Sequence, residues 1–558
     1  KEVILRIGFD KLAEYDEIIL QNDTLFGPVY PLAETFEKMS TLDLDFWGIT
    51  KYHHEELVPQ HIYPKGFISE HINASFIACR SSLVKSVEFQ NYWKKLPNFT
   101  SYTDVVNNHE ITFTEHFEKL GFKWDVSVNT DQIQHKGLCY PLMYQPVELI
   151  KDLRCPVFKR RLFFSVPNTF FAYSMGDAPV KLLDYLKEHT DYNTDLVYSN
   201  IIRTINPYVL TKNLGLFKSL PRNYVKSSVP TSKQKIALIM HSYFTDLVPY
   251  LLGYAANMPE NADIYITTDS KEKKQEIQKE FDKSDIKCGK FEIRVIENRG
   301  RDVGALLVGG ADLVNKYDLI CFMHDKKGND LKSLSIGKSW SDKLFECNLA
   351  SKEYVQNLIN KFANDKFLGM TFPYLPFHAE FFPLFYPASL WNPNGQKHGN
   401  YSEVLKLLKK MNIGLDLYKE RPPIFPCGTM FWFKTDALKK LFDMNWKYED
   451  FPQEPNKLDG TILHAIERSY ASVAQGSGYY SSYMMPDDIA AIEYNSLNVV
   501  NNRLNNLVLD LNTNKSDSYA NMLHYLNSHF IIISRIRSLY GKALRILVVV
   551  YHKMIGKK

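Results

Sequence analysis

Short apolar runs alternate with amphipathic stretches across residues 235–325, and few architectures accommodate that alternation. KIALIMHSYF from Lys235, ADIYITTD from Ala262, FEIRVIEN from Phe291 and DLICFMHD from Asp318 read as strands. DLVPYLLGYAANMP from Asp246 and KEKKQEIQKEF from Lys271 read as the helices between them. Strands separated by helices are joined by crossovers, so the expected core is a mostly parallel sheet with helices on both faces.

The chain also resembles itself. Tyr15, Asp16, Ile18 and Asp23 recur at the same offsets as Tyr317, Asp318, Ile320 and Asp325. Each copy continues with a strand of small and aromatic residues, NASFIACRSSLVKS from Asn73 and CGTMFWFKTDALKKL from Cys427. Each then has an acidic segment that starts a helix, HEITFTEHFEKLGFKW from His109 and DGTILHAIERSYASVAQGSGY from Asp459. Two related domains in tandem are expected, at residues 1–150 and 231–494, with a connecting helical segment at 151–230 that includes DAPVKLLDYLKEH. Only residues 1–14 precede Tyr15, so the first copy is expected to be N-terminally incomplete and to lack a nucleotide-binding half.

Composition narrows the function classes. With 45% apolar and 23% charged residues the chain can close large cores, which excludes a disordered or fibrous protein. A net charge of +4 argues against nucleic acid as a partner. The 7 cysteines include no C-x-x-C pair and read as reduced core residues of a cytoplasmic protein. No apolar run approaches the roughly 18 residues that a membrane span requires.

The densest motif is ENRGRDVGALLVGGADLVNKYDLICFMHDKK from Glu297. Asn298, Gly300 and Gly304 follow a strand and open a helix, where backbone passes close to a ligand. The element follows a late strand of the alternation, which disfavours a dinucleotide site. Farther on, a strand delivers His324, Asp325, Lys326 and Lys327 to its carboxyl end, where open α/β sheets bind ligands. Arg299 and Arg301 are candidate diphosphate contacts, with Asp302 restraining one of them, or else they form a surface ion-pair turn.

The order strand, N-R-G-R-D-x-G, helix, strand, H-D-K-K resembles a GT-A glycosyltransferase, and more closely the rhamnan synthesis F family of bacterial polyrhamnose assembly. The resemblance is strong over residues 235–485 and weaker over 15–124. It implies an α/β fold of two tandem GT-A-like, Rossmann-like domains with a helical C-terminal tail. It implies a donor, dTDP-β-L-rhamnose (dTDP-rhamnose), whose sugar passes with inversion to a polyprenyl-diphosphate-linked rhamnan. Family enzymes end this strand in Asp-x-Asp, which holds a divalent cation. Here one carboxylate, Asp325, stands beside His324, so Mg²⁺ or Mn²⁺ would have a weak site, and Lys326 or Lys327 is an alternative partner of the diphosphate. The first copy offers Asn22 and Asp23 at the same place.

In such enzymes the helix after the acceptor region carries the acid that deprotonates the acceptor hydroxyl. Asp459 is the first choice for that base, with His464 and Glu467 as alternates. Asp459 as a plain helix cap is the competing reading. The first-copy counterpart is Glu110, with Glu115 as its alternate. Gly428, Thr429 and Trp432 are expected on the acceptor side, and the aromatic stretch from Phe372 either shapes an acceptor channel or fills a satellite core.

Residues 495–558 read as an Asn-rich linker followed by a basic amphipathic helix carrying Arg535, Arg537, Lys542, Arg545, Lys553, Lys557 and Lys558. That helix either docks on the body or holds the enzyme peripherally on the inner face of a bacterial plasma membrane, near its lipid-linked acceptor. Two other functions stand beside the favoured one: an inactive glycan-binding or assembly module, and a GT-A enzyme for another nucleotide sugar.

Overall fold

The computed structural model describes residues 1–56, 63, 65–131, 133, 139–165, 174–223, 234–327, 334–376, 391, 400–419, 423–455 and 460–510. The chain divides into two compact units, Lys1–Ala490 and Ala491–Lys558.

The first unit holds two principal sheets. The smaller has four strands, β1 (Glu17–Gln21), β2 (Phe46–Gly48), β3 (Phe76–Arg80) and β4 (Trp124–Val126), in the order β1-β3-β2-β4. The larger has eight: β5 (Phe217–Leu220), β6 (Ile236–His241), β7 (Asp263–Thr268), β8 (Phe291–Val295), β9 (Leu319–His324), β10 (Leu368–Phe372), β11 (Phe431–Lys434) and β12 (Tyr480–Pro486). Their order is β8-β7-β6-β9-β11-β10-β12-β5. β8, β7, β6 and β9 are all parallel, as the alternation predicts, while β11 runs antiparallel to both its neighbours.

The large sheet is covered on both faces. Leu238, Met240, Cys321, Met323 and Trp432 point into one core, and Ala237, Ile239, Ile320, Phe322 and Phe433 into another, so successive side chains serve opposite layers. The helix Lys271–Asp282 shows how charged sequence suits an outer layer. Ser270 caps it by accepting the Lys273 N–H at 3.2 Å, and only Ile277 is buried.

The self-resemblance reappears as geometry. β1-β3-β2-β4 and β9-β11-β10-β12 have the same order and the same sequence of antiparallel, antiparallel and parallel pairings. Cys79 pairs with both Ile18 and Phe46, and Phe433 pairs with both Ile320 and Met370. The Ser81 N–H donates to Asp16 O at 2.8 Å, and the Thr435 N–H to Asp318 O at 3.2 Å. This register equates Asn22 with His324, Asp23 with Asp325, and Ala74 with Gly428.

Residues 151–230 do more than connect. The helices Ala178–His189, Asp195–Thr204 and Pro207–Asn213 bury Leu182, Ile201 and Val209 in a core shared with the large sheet, and β5 pairs in parallel with β12 as its edge strand. FKSL carries too few apolar residues to announce a strand, which is why sequence patterning passes over it.

The Asn-rich stretch expected to be a linker is helical through Asp510, within the helix Asp487–Asp510. Asn costs a helix only about 0.7 kcal/mol relative to Ala, and Leu and Val are interspersed with it here. The basic tail, residues 511–558, lies outside the described residues. Among those described, no helix is long and apolar enough to cross a membrane.

Candidate active site

The strand order of the large sheet reverses beside β6. From β6 the chain moves outward through β7 and β8, then returns to the other side of β6 as β9. At such a switch point two loops diverge from the carboxyl ends of neighbouring strands and leave a crevice. His241 and His324 close β6 and β9 there and are paired in register.

Both histidines are buried. His241 Nδ1 lies 2.9 Å from Thr267 Oγ1, and burial, with His324 nearby, pushes its imidazole down to about 4. His324 has its Nδ1 2.8 Å from Asp325 O and its Nε2 2.7 Å from Gly428 O. Both partners are backbone carbonyl oxygens, so the ring is held from both sides by the chain itself.

Gly428 links two of the expected residues. Its carbonyl faces His324, and its N–H donates to Glu467 Oε1 at 2.8 Å. Glu467 ends the helix Ile462–Glu467 and is partly buried. Thr429, at φ 53, bonds Asp302 through its side chain. Burial pushes the Asp302 carboxyl up, but His324, the Thr429 hydroxyl and Lys326 together hold it below the usual carboxylate range. The hydroxyl of Tyr470 is fully buried without a hydrogen-bond partner among the described residues, and Asp302 and Glu467 are the charges acting on it. A buried hydroxyl without a partner is a costly arrangement in a core.

Asp325 is 6% exposed. Its Oδ2 accepts the N–H groups of Tyr243 and Phe244 at 2.7 and 2.6 Å. Burial outweighs those amides and the nearby His324, and pushes the carboxyl up to about 6. A carboxyl raised in the folded state adds stability below its unfolded value near 3.8, and that stability is lost as pH rises through about 6. Asp325→Asn keeps an oxygen for the two amides without the charge. It is expected to gain stability over the wild type between pH 4 and pH 8, measured by urea unfolding; a constant difference across that range would be the contrary result.

The donor-side motif is built differently from the expectation. Arg299 donates from Nε to Phe451 O at 2.7 Å and from its guanidinium to Glu449 O at 3.0 Å. Arg301 pairs with Glu454 at 2.9 Å, rather than with Asp302. Both arginines therefore tie the motif to residues 449–454. Gly300, at φ 85, and Gly304 make the close backbone approach expected of them, but to Phe451 and to Arg299 O. Asn298 is exposed. Lys326 lies 4.0 Å over the Trp340 ring, and Lys327 pairs with Asp246.

Asp459 lies outside the described residues. His464 Nδ1 is 2.8 Å from Thr461 Oγ1 at the start of its helix. Trp432 is fully buried and donates its indole N–H to Asn348 O, so it belongs to the core and not to an acceptor surface. Most of the aromatic stretch from Phe372 is also outside the described residues; Trp391, within them, is fully buried.

The first copy corrects one correspondence. Glu110 accepts a hydrogen bond from the Ala74 backbone, and Ala74 matches Gly428 in register. Its counterpart is therefore Glu467, not Asp459. Offsets within the sequence missed this because the loop before the helix differs in length between copies, whereas the contact with the strand entry does not. Asn22 and Asp23 are exposed at the end of β1, with Asp23 3.6 Å from Arg160, and Glu115 pairs with Lys65 and Lys119.

The residues around Asp325 do not by themselves make a divalent-cation site. One oxygen is committed to two amides, and two lysines follow it. Among the described residues the one cluster of three metal-type ligands is His53, Glu70 and Asp131, and Lys51 already pairs with both acids.

A family model described as rhamnan synthesis protein F matches residues 1–479. The chain belongs to that family. Two curated relatives, each described as uncharacterized protein WxcX, come from Xanthomonas campestris pv. campestris strains B100 and ATCC 33913. Each is 26% identical over 243 residues, 43% of this chain and 32% of the relative, so the match spans about a third of their length. Among solved structures, S. aureus TarS 1-349 is similar at a TM-score of 0.24 and 10% identity, over 45% of this chain and 60% of that one. The mannosyltransferase PcManGT from Pyrobaculum calidifontis, in complex with GDP-Man and Mn²⁺, gives 0.25 and 11%, over 56% and 66%. At these scores neither likeness bears on the chemistry of this member of the rhamnan synthesis protein F family.

Proposed function

We propose that the chain is an inverting glycosyltransferase of rhamnan synthesis, transferring L-rhamnose from dTDP-rhamnose to a lipid-linked rhamnan at the crevice between β6 and β9. The observation that carries this reading is the bridge His324–Gly428–Glu467, which sets an acid beside the buried end of β9 at the switch point. The family's description, rhamnan synthesis, favours rhamnose as the sugar in this reading.

In this reading the acceptor hydroxyl attacks the anomeric carbon while Glu467 takes its proton. The bond from that carbon to the diphosphate oxygen breaks, and the electron pair leaves with dTDP. Lys326 is the cation assigned to the charge that develops on the leaving group, with Asp302 acting on its surroundings. One base and a direct displacement account for inversion without a covalent sugar intermediate.

The test is transfer by the full chain onto a prenyl-diphosphate-linked rhamnose acceptor, with dTDP-rhamnose, UDP-glucose and GDP-mannose compared as donors. Product is expected from dTDP-rhamnose alone. Transfer from another donor would reassign the sugar, and neither binding nor turnover of any of the three would remove the enzymatic reading.

A further inference from the structure

A cavity of 670 Å³ opens beside the smaller sheet, at the carboxyl end of β1. The proposed transfer at β9 makes no use of it. Its lining joins residues distant in sequence: Asn22 and Thr24 after β1, Glu110 on the helical turn Val106–Glu110, and Lys159 and Arg161.

Its charge balance is unusual for an interior. Lys159 is 7% exposed, and its ammonium donates to Thr24 Oγ1 at 3.1 Å. Arg161 lies at the mouth and donates to the Tyr102 hydroxyl at 3.2 Å. Against these two cations the lining sets one carboxyl, Glu110, itself pushed up by burial and drawn back by Lys159, Arg161 and the Ala74 N–H. Burial lowers Lys159 to about 8 and His71, also in the lining, to about 4, so His71 adds no charge near neutrality. A buried ammonium with a neutral hydroxyl as its hydrogen-bond acceptor is poorly compensated, and an anion is what the space lacks. The rings of Tyr52, Tyr102 and Tyr140 line the same cavity, and faces of that kind pack on the C–H surfaces of sugars.

We propose that this cavity is a second ligand site that takes a glycosyl diphosphate, with Lys159 and Arg161 on the phosphates, the tyrosines on the sugar and Glu110 beside a sugar hydroxyl. The anionic part of the ligand follows from the cavity alone, whereas the choice of a glycosyl diphosphate over another anion rests on the proposed function. Such a group has two sources, a nucleotide sugar and a sugar carried on a prenyl lipid.

The experiment follows hydrogen–deuterium exchange of the full chain with inorganic pyrophosphate, dTDP-rhamnose or a short-chain prenyl diphosphate rhamnoside. Slowed exchange at residues 102–111 and 158–165 with either sugar-bearing probe is expected, and which probe acts identifies the source. Arg161→Gln, at the exposed mouth, is expected to weaken that binding by about tenfold or more, the worth of a hydrogen bond to a charged group. Lys159→Met should do the same where it folds. No slowing with any probe, slowing with pyrophosphate alone, or unchanged affinity in Arg161→Gln would overturn the proposal. Residues 298–304 and 428–432 report on the β9 crevice in the same experiment, so failure there is read separately.

Discussion

Glu467→Gln is expected to lower the turnover of sugar transfer by about 10²–10⁴-fold, the usual contribution of a general base, with little change in Tm. The amide oxygen of Gln still accepts the Gly428 N–H that Glu467 accepts at 2.8 Å, so the helix end and the strand entry stay in place while the proton acceptor is lost. Donor affinity is expected to be unchanged, because the role proposed for the residue is on the acceptor. Turnover within a few-fold of the wild type would remove Glu467 from the mechanism.

The second large effect is on stability. Gly304→Ala is expected to cost about 3 kcal/mol or more, since an added Cβ would overlap the carbonyl oxygen of Arg299, a backbone atom with no freedom to rotate away. That carbonyl sits in the turn where Gly300 and Arg301 both adopt positive φ, so the segment has little room to yield. Gly253→Ala is the matched control: it too lies in a helix, but its added Cβ would meet nothing within 4 Å. It is expected to stabilise by up to about 1 kcal/mol through helix propensity. Equal denaturation midpoints for the two variants would show that the close approach at Gly304 is absent in solution.

Legibility in the sequence followed how local each signal was. β6, β7 and β9 are legible because each is a largely apolar, buried run, the pattern that burial on both faces of a parallel sheet demands, and β8, at the edge, by the alternation in FEIRV. The repeat was readable because Ile18 and Ile320 hold the same place against their partner strands. Side-chain partners across the fold were not. Nothing near Arg299 or Arg301 indicates that residues 449–454 will meet them. Glu467 is one of three candidate acids and bases in the sequence, and only its contact with Gly428 singles it out; spacing along a chain does not carry contact between elements, so spacing alone pairs Glu110 with Asp459. His241 went unnoticed for the same reason: its significance lies in being opposite His324.

The edge strand Phe217–Leu220 bears on how the large sheet can be isolated. A recombinant fragment begun after residue 230 would discard both β5 and the helices that share its core. The outer margin of β12 would then present unpaired amide and carbonyl groups to any passing strand. Such a fragment would be prone to self-association however intact its crevice, and a well-behaved piece has to begin upstream of Met143, the first residue of the same core.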